Sequence, residues 1–329
     1  MHMADALINP TVAVTMYAVS AAAAAYSIKK VREENNPRKI PLMGVMGAFV
    51  FAAQMLNFTI PGTGSSGHLC GGLLLAALLG PYAAFLTMIG ILTIQCLLFA
   101  DGGLLALGAN IWNMAFYGCF VGGLLIWQPI IHNKLSKARI ILASVLGSII
   151  TLQMGAFSVV LETTASGISE LPFNIFAFTM QGIHLAIGAV EGLIISAVLL
   201  FVYQARPELL FGANTGENGS LSFQKTLALL GSAAALAAGV LSLAASENPD
   251  GLEWSLEKVT GSAELEKSGA LHALAAQIQE LTSLLPDYNF QGSESAWGTV
   301  FSGLAGSALV LLVCVACCYA FHFFKHKTA

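Results

Sequence analysis

Nine apolar runs, most of them near the length of a bilayer-crossing helix, constrain this chain more than any other feature of its sequence. They are Thr11–Ile28, Ile40–Phe58, Gly67–Gly80, Pro81–Ala100, Asn110–Ile131, Ile140–Leu161, Asn174–Tyr203, Thr226–Ala245 and Trp297–Phe321. A helix satisfies its own backbone hydrogen bonds, so it can lie in hydrocarbon where no water is available to do so. The third run is the shortest and is expected to be tilted or re-entrant. Composition agrees with the runs. Of 329 residues, 56% are hydrophobic and 10% charged, against roughly 25% charged in an ordinary soluble domain. The mean hydropathy is +0.76. These features exclude a soluble α/β enzyme, a disordered regulator and a basic-faced nucleic-acid binder. The expected class is an all-α polytopic membrane protein.

Basic residues orient the runs, because Lys and Arg favour the cytoplasmic ends of membrane helices. Lys29, Lys30, Arg32, Arg38 and Lys39 follow the first run, and Lys134, Lys137 and Arg139 follow the fifth. Arg206 follows the seventh, Lys225 precedes the eighth, and Lys325 and Lys327 follow the ninth. With the N-terminus outside and nine alternating spans, all of these fall inside together with the C-terminus. Only Lys258 and Lys267 fall outside. The first run could be mistaken for a secretory signal, since Ala21–Ala25 offers small residues for cleavage. No basic residue precedes it, however, and Asp5 stands there instead, so the mature chain is expected to begin at Met1.

Residues 206–225 are rich in Gly, Asn and Ser and read as a flexible cytoplasmic linker. Before them, residues 1–205 form a seven-span domain with short loops, expected to be a seven-helix bundle. After them, residues 226–329 form a two-span accessory domain with an outside segment at 247–296. The cysteines suggest no disulfide framework, since five of the six lie in apolar runs and Cys70 opens the third. Cys314 and Cys317 are expected to pack rather than to bind metal. The sequence has no GxxxxGK[ST] phosphate loop, no HExxH and no GxSxG, so neither nucleotide hydrolysis nor zinc or serine catalysis is supported. No enzyme activity is expected.

The chain opens Met1-His2-Met3-Ala4-Asp5. A free α-amine, the His2 amide nitrogen if deprotonated, and His2 Nδ1 would close adjacent five- and six-membered chelate rings. Three nitrogens in a plane suit Ni(II) or Cu(II). A fourth donor could come from His68, at the end of the Gly- and Ser-rich loop Thr59–His68. By themselves these residues leave the matter open, because any chain can start Met-His by chance.

Longer segments add to the pattern. The Met1-His2 start with Asp5 nearby, the stretch Gly47–Pro81 (GAFVFAAQMLNFTIPGTGSSGHLCGGLLLAALLGP), Asp101–Met114 (DGGLLALGANIWNM) and Ile183–Ile194 (IHLAIGAVEGLI) resemble the CbiM/NikM family of cobalt and nickel transport proteins. Asn248–Ser255 (NPDGLEWS) and Pro286-Asp287-Tyr288 resemble the small CbiN/NikN partner, here joined to the same chain. The resemblance implies the substrate-binding component of an energy-coupling factor (ECF) importer for Ni²⁺ or Co²⁺, in a bacterial or archaeal cytoplasmic membrane. It implies a metal ligand set of Met1, His2 and His68, with the ion as transported cargo and no permanently bound cofactor. It also implies separate ATPase subunits and a transmembrane coupling subunit as partners. The start departs from many family members, which carry an aromatic residue and a glycine after the acid.

Supporting roles can be assigned to several polar residues. Asp5 could balance the metal's charge or orient His2, and Asn57, Asn110 and Asn113 could support the site or cap helices. Met3 and Met55 could line an access path or simply pack. In the seventh run Gln181, His184 and Glu191 can share a helix face, either as a structural contact or in transport. His132, His322 and His326 are expected to be solvated, and His272 has no visible partner. The rival reading is a stand-alone divalent-metal channel or secondary transporter, for which His184 and Glu191 are the midplane candidates.

Overall fold

The computed structural model describes the chain apart from residues 35, 38, 133, 169, 214–218, 264, 266–268, 294 and 328–329. For residues 318–327 it describes the backbone alone. Arg38, Lys267 and the side chains of Cys318, His322, Lys325, His326 and Lys327 therefore lie outside the described residues, as does the middle of the segment 206–225.

The helices are α1 (Pro10–Glu34), α2 (Lys39–Gln54), α3 (Gly72–Leu79) and α4 (Pro81–Phe99). There follow α5 (Leu107–His132), α6 (Lys137–Ala165) and α7 (Phe173–Ala205). After the linker come α8 (Phe223–Gly239), the two outer helices α9 (Gly251–Thr260) and α10 (Ala270–Thr282), and α11 (Ala296–Lys327). A hairpin of β1 (Phe58–Ile60) and β2 (Ser65–Gly67) separates α2 from α3. Most of α5, Ile111–Trp127, is wound as a wider π-helix. Such turns are rare and tend to occur near functional sites.

Among the described residues, six helices are long and apolar enough to cross a bilayer: α1, α4, α5, α6, α7 and α11. The chain is thus a multi-pass membrane protein, but the nine apolar runs do not become nine helices of crossing length. The third run becomes an extended loop and the eight-residue helix α3, about 12 Å long. Left-handed Gly71 and Gly80 (φ 82° and 77°) bound it at either end. Gln54, at the end of α2, donates to Cys70 O (2.9 Å), while Lys39, at its start, donates to Leu79 O (2.8 Å). The segment from Cys70 to Leu79 therefore runs antiparallel to α2 through the same layer, entirely inside protein. Non-helical backbone is tolerated at such depth where it is buried in this way. The eighth run stops short too: α8 ends at Gly239 and a 3₁₀ turn, Leu241–Ala244, completes it.

The accessory helices α8 and α11 lie against α2. Close approach depends on small residues, as is usual between membrane helices. A Cβ on Gly306 would stand 2.2 Å from the Phe51 ring, and one on Gly303 would stand 2.5 Å from Ala238 O. The five described cysteines carry no disulfide, and Cys70, Cys96, Cys119 and Cys314 are buried.

Candidate metal site

Five pieces of chain meet at one end of the bundle: the terminus, the loop after β2, the α4–α5 loop, the start of α9 and the turn Pro286–Tyr288. The terminus is held by its backbone. Met3 N donates to Asn110 Oδ1 (2.7 Å) and Asn110 Nδ2 donates to Met3 O (3.1 Å), so one side chain satisfies both groups of a buried residue. Gly103 N also donates to Met3 O (2.8 Å). Asp5 is fully buried and its Oδ1 accepts from Ala106 N (3.1 Å). A Cβ on Gly103 would stand 1.8 Å from that oxygen, so only glycine fits there. Asp5 thus fastens the terminus to the α4–α5 loop and is neither solvated nor paired with His2. Asn113 Nδ2 donates to Glu162 Oε2 (2.7 Å) and lies 3.5 Å from Met3 Sδ. Met3 is fully buried.

The hairpin delivers His68. Phe58 pairs with Gly67 and Ile60 with Ser65, and Gly62 and Gly64 take the positive φ that the tight turn needs. His68 Nδ1 lies 3.1 Å from Leu69 O. A carbonyl only accepts, so the proton is on Nδ1 and Nε2 carries the lone pair. That Nε2 lies 3.0 Å from the Met1 amine. The His2 and His68 rings stack at 5.3 Å with 21° between their planes. The three residues of the expected ligand set are therefore together.

Both ends of the accessory segment also reach this point, which the sequence reading did not anticipate. Asp250 caps α9: its Oδ1 accepts from Leu252 N (2.8 Å) and Glu253 N (3.0 Å), and Glu253 Oε2 accepts from Asp250 N (2.9 Å). This reciprocal capping box leaves Oδ2 free of helix duties. Asp250 Oδ2 takes an ion pair from the Met1 amine and lies 3.7 Å from His68 Nε2. The hairpin fixes the register, since Ser66 N donates to Pro249 O (2.8 Å), Ser66 Oγ to Asn248 O (2.7 Å) and Trp254 Nε1 to Thr63 O (3.0 Å).

At the other end, Tyr288 stacks on Phe99 at 4.6 Å and its hydroxyl donates to Asp101 Oδ2. Asp101 Oδ1 is 3.1 Å from His2 Nδ1. His2 Nε2 lies 3.3 Å from Gln95 Oε1, and Gln95 Nε2 donates to Gln54 Oε1 (2.9 Å). Asp287 and Tyr288 sit at φ 51° and 58°, a conformation costing about 1–3 kcal/mol per non-glycine residue. The Phe99 stack and the Asp101 bond hold it there.

Electrostatics follow from burial and these partners. Burial pushes the His2 ring down to about 4 despite Asp101, so it is neutral at neutral pH. Burial works against the charge on the Met1 amine, but Asp250 overrides it and raises the amine above its ordinary value. Burial likewise works against the Asp250 carboxylate, and the Met1 ammonium overrides it, holding that carboxyl well below the usual range.

The remaining candidates separate. Asn57 contributes its backbone carbonyl, which accepts from Ser246 N (2.8 Å). Gln181 exchanges hydrogen bonds with Gln153 across α6 and α7 (Nε2 to backbone O, 3.1 and 2.9 Å). Glu191 accepts from Cys70 N (3.1 Å) and Gly71 N (3.0 Å), which anchors the loop carrying His68. His184 bonds Met180 O instead (2.8 Å). These three share a helix but do not form one cluster. His132 is exposed, whereas His272 is buried and bonds Ile8 O (3.0 Å). Gln54, Gln95, Asp101, Asp250 and Tyr288 were missed as site residues. The signal for Gln54 and Gln95 was a polar side chain inside an apolar run. Asp101, Asp250 and Tyr288 lay within the quoted motifs.

Comparison with known proteins gives the class. Residues 2–209 match the family described as the cobalt uptake substrate-specific transmembrane region, CbiM, and residues 224–322 match the PDGLE domain. A putative fused nickel transport protein NikMN of Archaeoglobus fulgidus is 34% identical over 94% of this chain and 96% of its own length. The fused nickel transport protein NikMN of Rhodobacter capsulatus is 29% identical, over 94% of this chain and 95% of its own. A crystal structure of a truncated transition metal transporter superposes with a TM-score of 0.54 at 32% identity, covering 61% of this chain and 98% of that one. Fold, site and relatives define a multi-pass membrane transport protein rather than an enzyme. Within that class the chain belongs to the CbiM family of nickel and cobalt transport proteins, with a PDGLE domain fused after it.

Proposed function

We propose that this chain is the metal-binding component of an ECF-type importer and takes up Ni²⁺, chelated outside the membrane by the Met1 amine, the His2 amide nitrogen and Nδ1, and His68 Nε2. The observation that carries the reading is the 3.0 Å approach of the Met1 amine to His68 Nε2 beside the stacked His2 ring. Capture releases the ammonium proton and the His2 amide proton, moves the His2 ring proton from Nδ1 to Nε2 beside Gln95 Oε1, and exchanges two contacts. The amine leaves Asp250, and His2 Nδ1 leaves Asp101. Both carboxylates then remain beside the ion and oppose its charge.

Nickel is favoured because the relatives with the same fused organisation over nearly their whole length are named as nickel transport proteins. Three nitrogens of a terminal chelate and one imidazole also suit a square plane. Co²⁺ is the second candidate cargo. The N-terminus outside, the seven-span domain 1–205, the linker 206–225 and the accessory 226–329 belong to this reading. So do separate ATPase subunits and a coupling subunit, since no phosphate loop is present in the chain. The rival channel reading loses support from Glu191, whose carboxylate is taken up by the Cys70 and Gly71 amides.

The deciding experiment is Ni²⁺ calorimetry on protein with a free N-terminus against protein with an acetylated or one-residue-extended terminus. Blocking the amine is expected to weaken binding at least a hundredfold, and unchanged affinity would overturn the chelate.

A further inference from the structure

The helices α9 and α10 of the accessory segment follow opposite rules. On α9 the exposed positions include Glu253, Glu257 and Lys258, while Leu252 and Leu256 are buried. That is the ordinary pattern of a helix lying between protein and water. On α10 the buried residues are His272, Ala275 and Gln279, and most of the exposed ones are apolar. Leu271, Leu274 and Ile278 are 49%, 51% and 40% exposed, and Leu281 is 82% exposed. At 3.6 residues per turn these four side chains fall within one arc of about 80°. Thr282 stands beside them and turns its hydroxyl back onto Ile278 O (3.1 Å). Gln277 and Glu280 are exposed on the neighbouring arc. The helix thus has three faces: one bonded to protein, one apolar and free, one polar and free.

The bonded face fixes the depth of α10. His272 Nε2 donates to Ile8 O (3.0 Å), two residues before α1 begins. Gln279 Nε2 donates to Cys96 O (3.0 Å), in the last turn of α4, and to Gly102 O (2.7 Å), just beyond it. Past the end of α10, Leu285 N donates to Leu98 O (3.1 Å). His272 and Gln279 are about 10 Å apart along the helix, yet both are tied to the same end of membrane-spanning helices. The axis of α10 therefore runs along the membrane boundary rather than across it. The chain then leads to Phe290, whose ring packs on Phe301 of α11 at 5.6 Å, and to Trp297, 80% exposed in the first turn of α11. Exposed aromatic residues at the end of a span are characteristic of the lipid–water interface.

We propose that α10 is an in-plane interfacial helix whose partner is the lipid surface, with Leu271, Leu274, Ile278 and Leu281 set among acyl chains and Gln277 and Glu280 facing water. Four large apolar side chains on one arc are poorly placed in water, and a helix lying in the interface buries such a face at the headgroup boundary. The lipid surface is the occupant because α10 is bonded to the ends of α1 and α4 and continues into α11, all three of which cross the bilayer. The inference is independent of the metal ligand set. It gives the accessory segment a second support besides its own two helices: the bilayer itself holds α10 at a fixed depth.

The test uses the full chain in phosphatidylcholine–phosphatidylglycerol vesicles that contain a phospholipid with a photoactivatable diazirine near the glycerol end of one acyl chain. After illumination, lipid adducts are mapped by mass spectrometry, with α11 as the labelled reference and α9 as the unlabelled one. Adducts on the α10 peptide are expected at least tenfold above those on α9. Labelling of α10 no higher than that of α9, with α11 labelled, would overturn the proposal and leave its apolar face to a second copy or another protein. Leu274→Asn combined with Leu281→Asn should lower the α10 signal at least fivefold and leave α11 unchanged. An undiminished signal would mean that another face meets lipid, and would overturn the proposal too. If the double variant does not fold, labelling of the unmodified chain decides.

Discussion

The Asp250 carboxylate is ion-paired to the α-amine of Met1, 249 residues earlier in the chain. One oxygen of that carboxylate caps α9 and the other meets the terminus, so the fused accessory contributes a charge directly to the site. The consequence can be read in pH. The amine is held above its ordinary value, so near neutrality it carries a proton that, on the proposed chelate, would compete with metal. Raising the pH removes that competition, and affinity is expected to rise about tenfold per pH unit for each proton released. His2 adds no slope above about pH 5, because its ring titrates at about 4. Asp250→Asn keeps the cap, since Asn serves nearly as well there, but removes the charge that raised the amine. Burial then favours the neutral amine, and the midpoint of Ni²⁺ binding should move to lower pH. Calorimetric titration from pH 5.5 to 8 checks this, and a shift to higher pH would contradict it.

Asn110→Ala leaves the Met3 amide buried without its acceptor, a loss of about 1–3 kcal/mol. Because that bond fixes the terminus rather than the bulk of the fold, the effect should fall mainly on metal affinity, weakened roughly tenfold to a hundredfold. Asn57→Ala is the control. Asn57 acts through its main chain, so its removal should change affinity by less than twofold in the same titration.

Tyr288 joins the far end of the accessory to His2 through Asp101. Tyr288→Phe keeps the ring on Phe99 and removes the hydroxyl, so stability should fall by only about 0.5–1.5 kcal/mol. Tyr288→Ala removes the stack as well and should cost about 3–5 kcal/mol. Denaturation in detergent measures both. Equal losses in the two variants would mean that the ring contributes nothing.

Much of this was legible in the sequence because it rests on local chemistry. Apolar runs separated by basic residues describe a membrane protein without any knowledge of packing. The Met1-His2 start carries three potential donors spaced to close five- and six-membered rings, so its chelating character needs no tertiary partner. His68 was legible through its loop, whose glycines and serines foretold a turn. The third run was less legible. Length and hydropathy cannot distinguish a crossing helix from an extended loop and a short helix wholly enclosed by protein, and Gly71 and Gly80 decide the difference only through their backbone angles. Gln181, His184 and Glu191 shared a face as spacing requires, yet each found a different partner.

The sequence by itself determined the class of protein, the apolar runs and the donor atoms of the terminus, since these depend on residue type and covalent neighbours. Only the tertiary structure decided where the charges meet. Asp250 and Tyr288 belong to a segment more than two hundred residues from the terminus, and no periodicity connects them to Met1 or His2. They arrive because glycines let α11 approach α2 and α8 closely, and because the hairpin strands hold the accessory loop in register. Long-range packing of that kind has no local signature, and it is what encloses the Met-His start and sets two carboxylates beside its nitrogens.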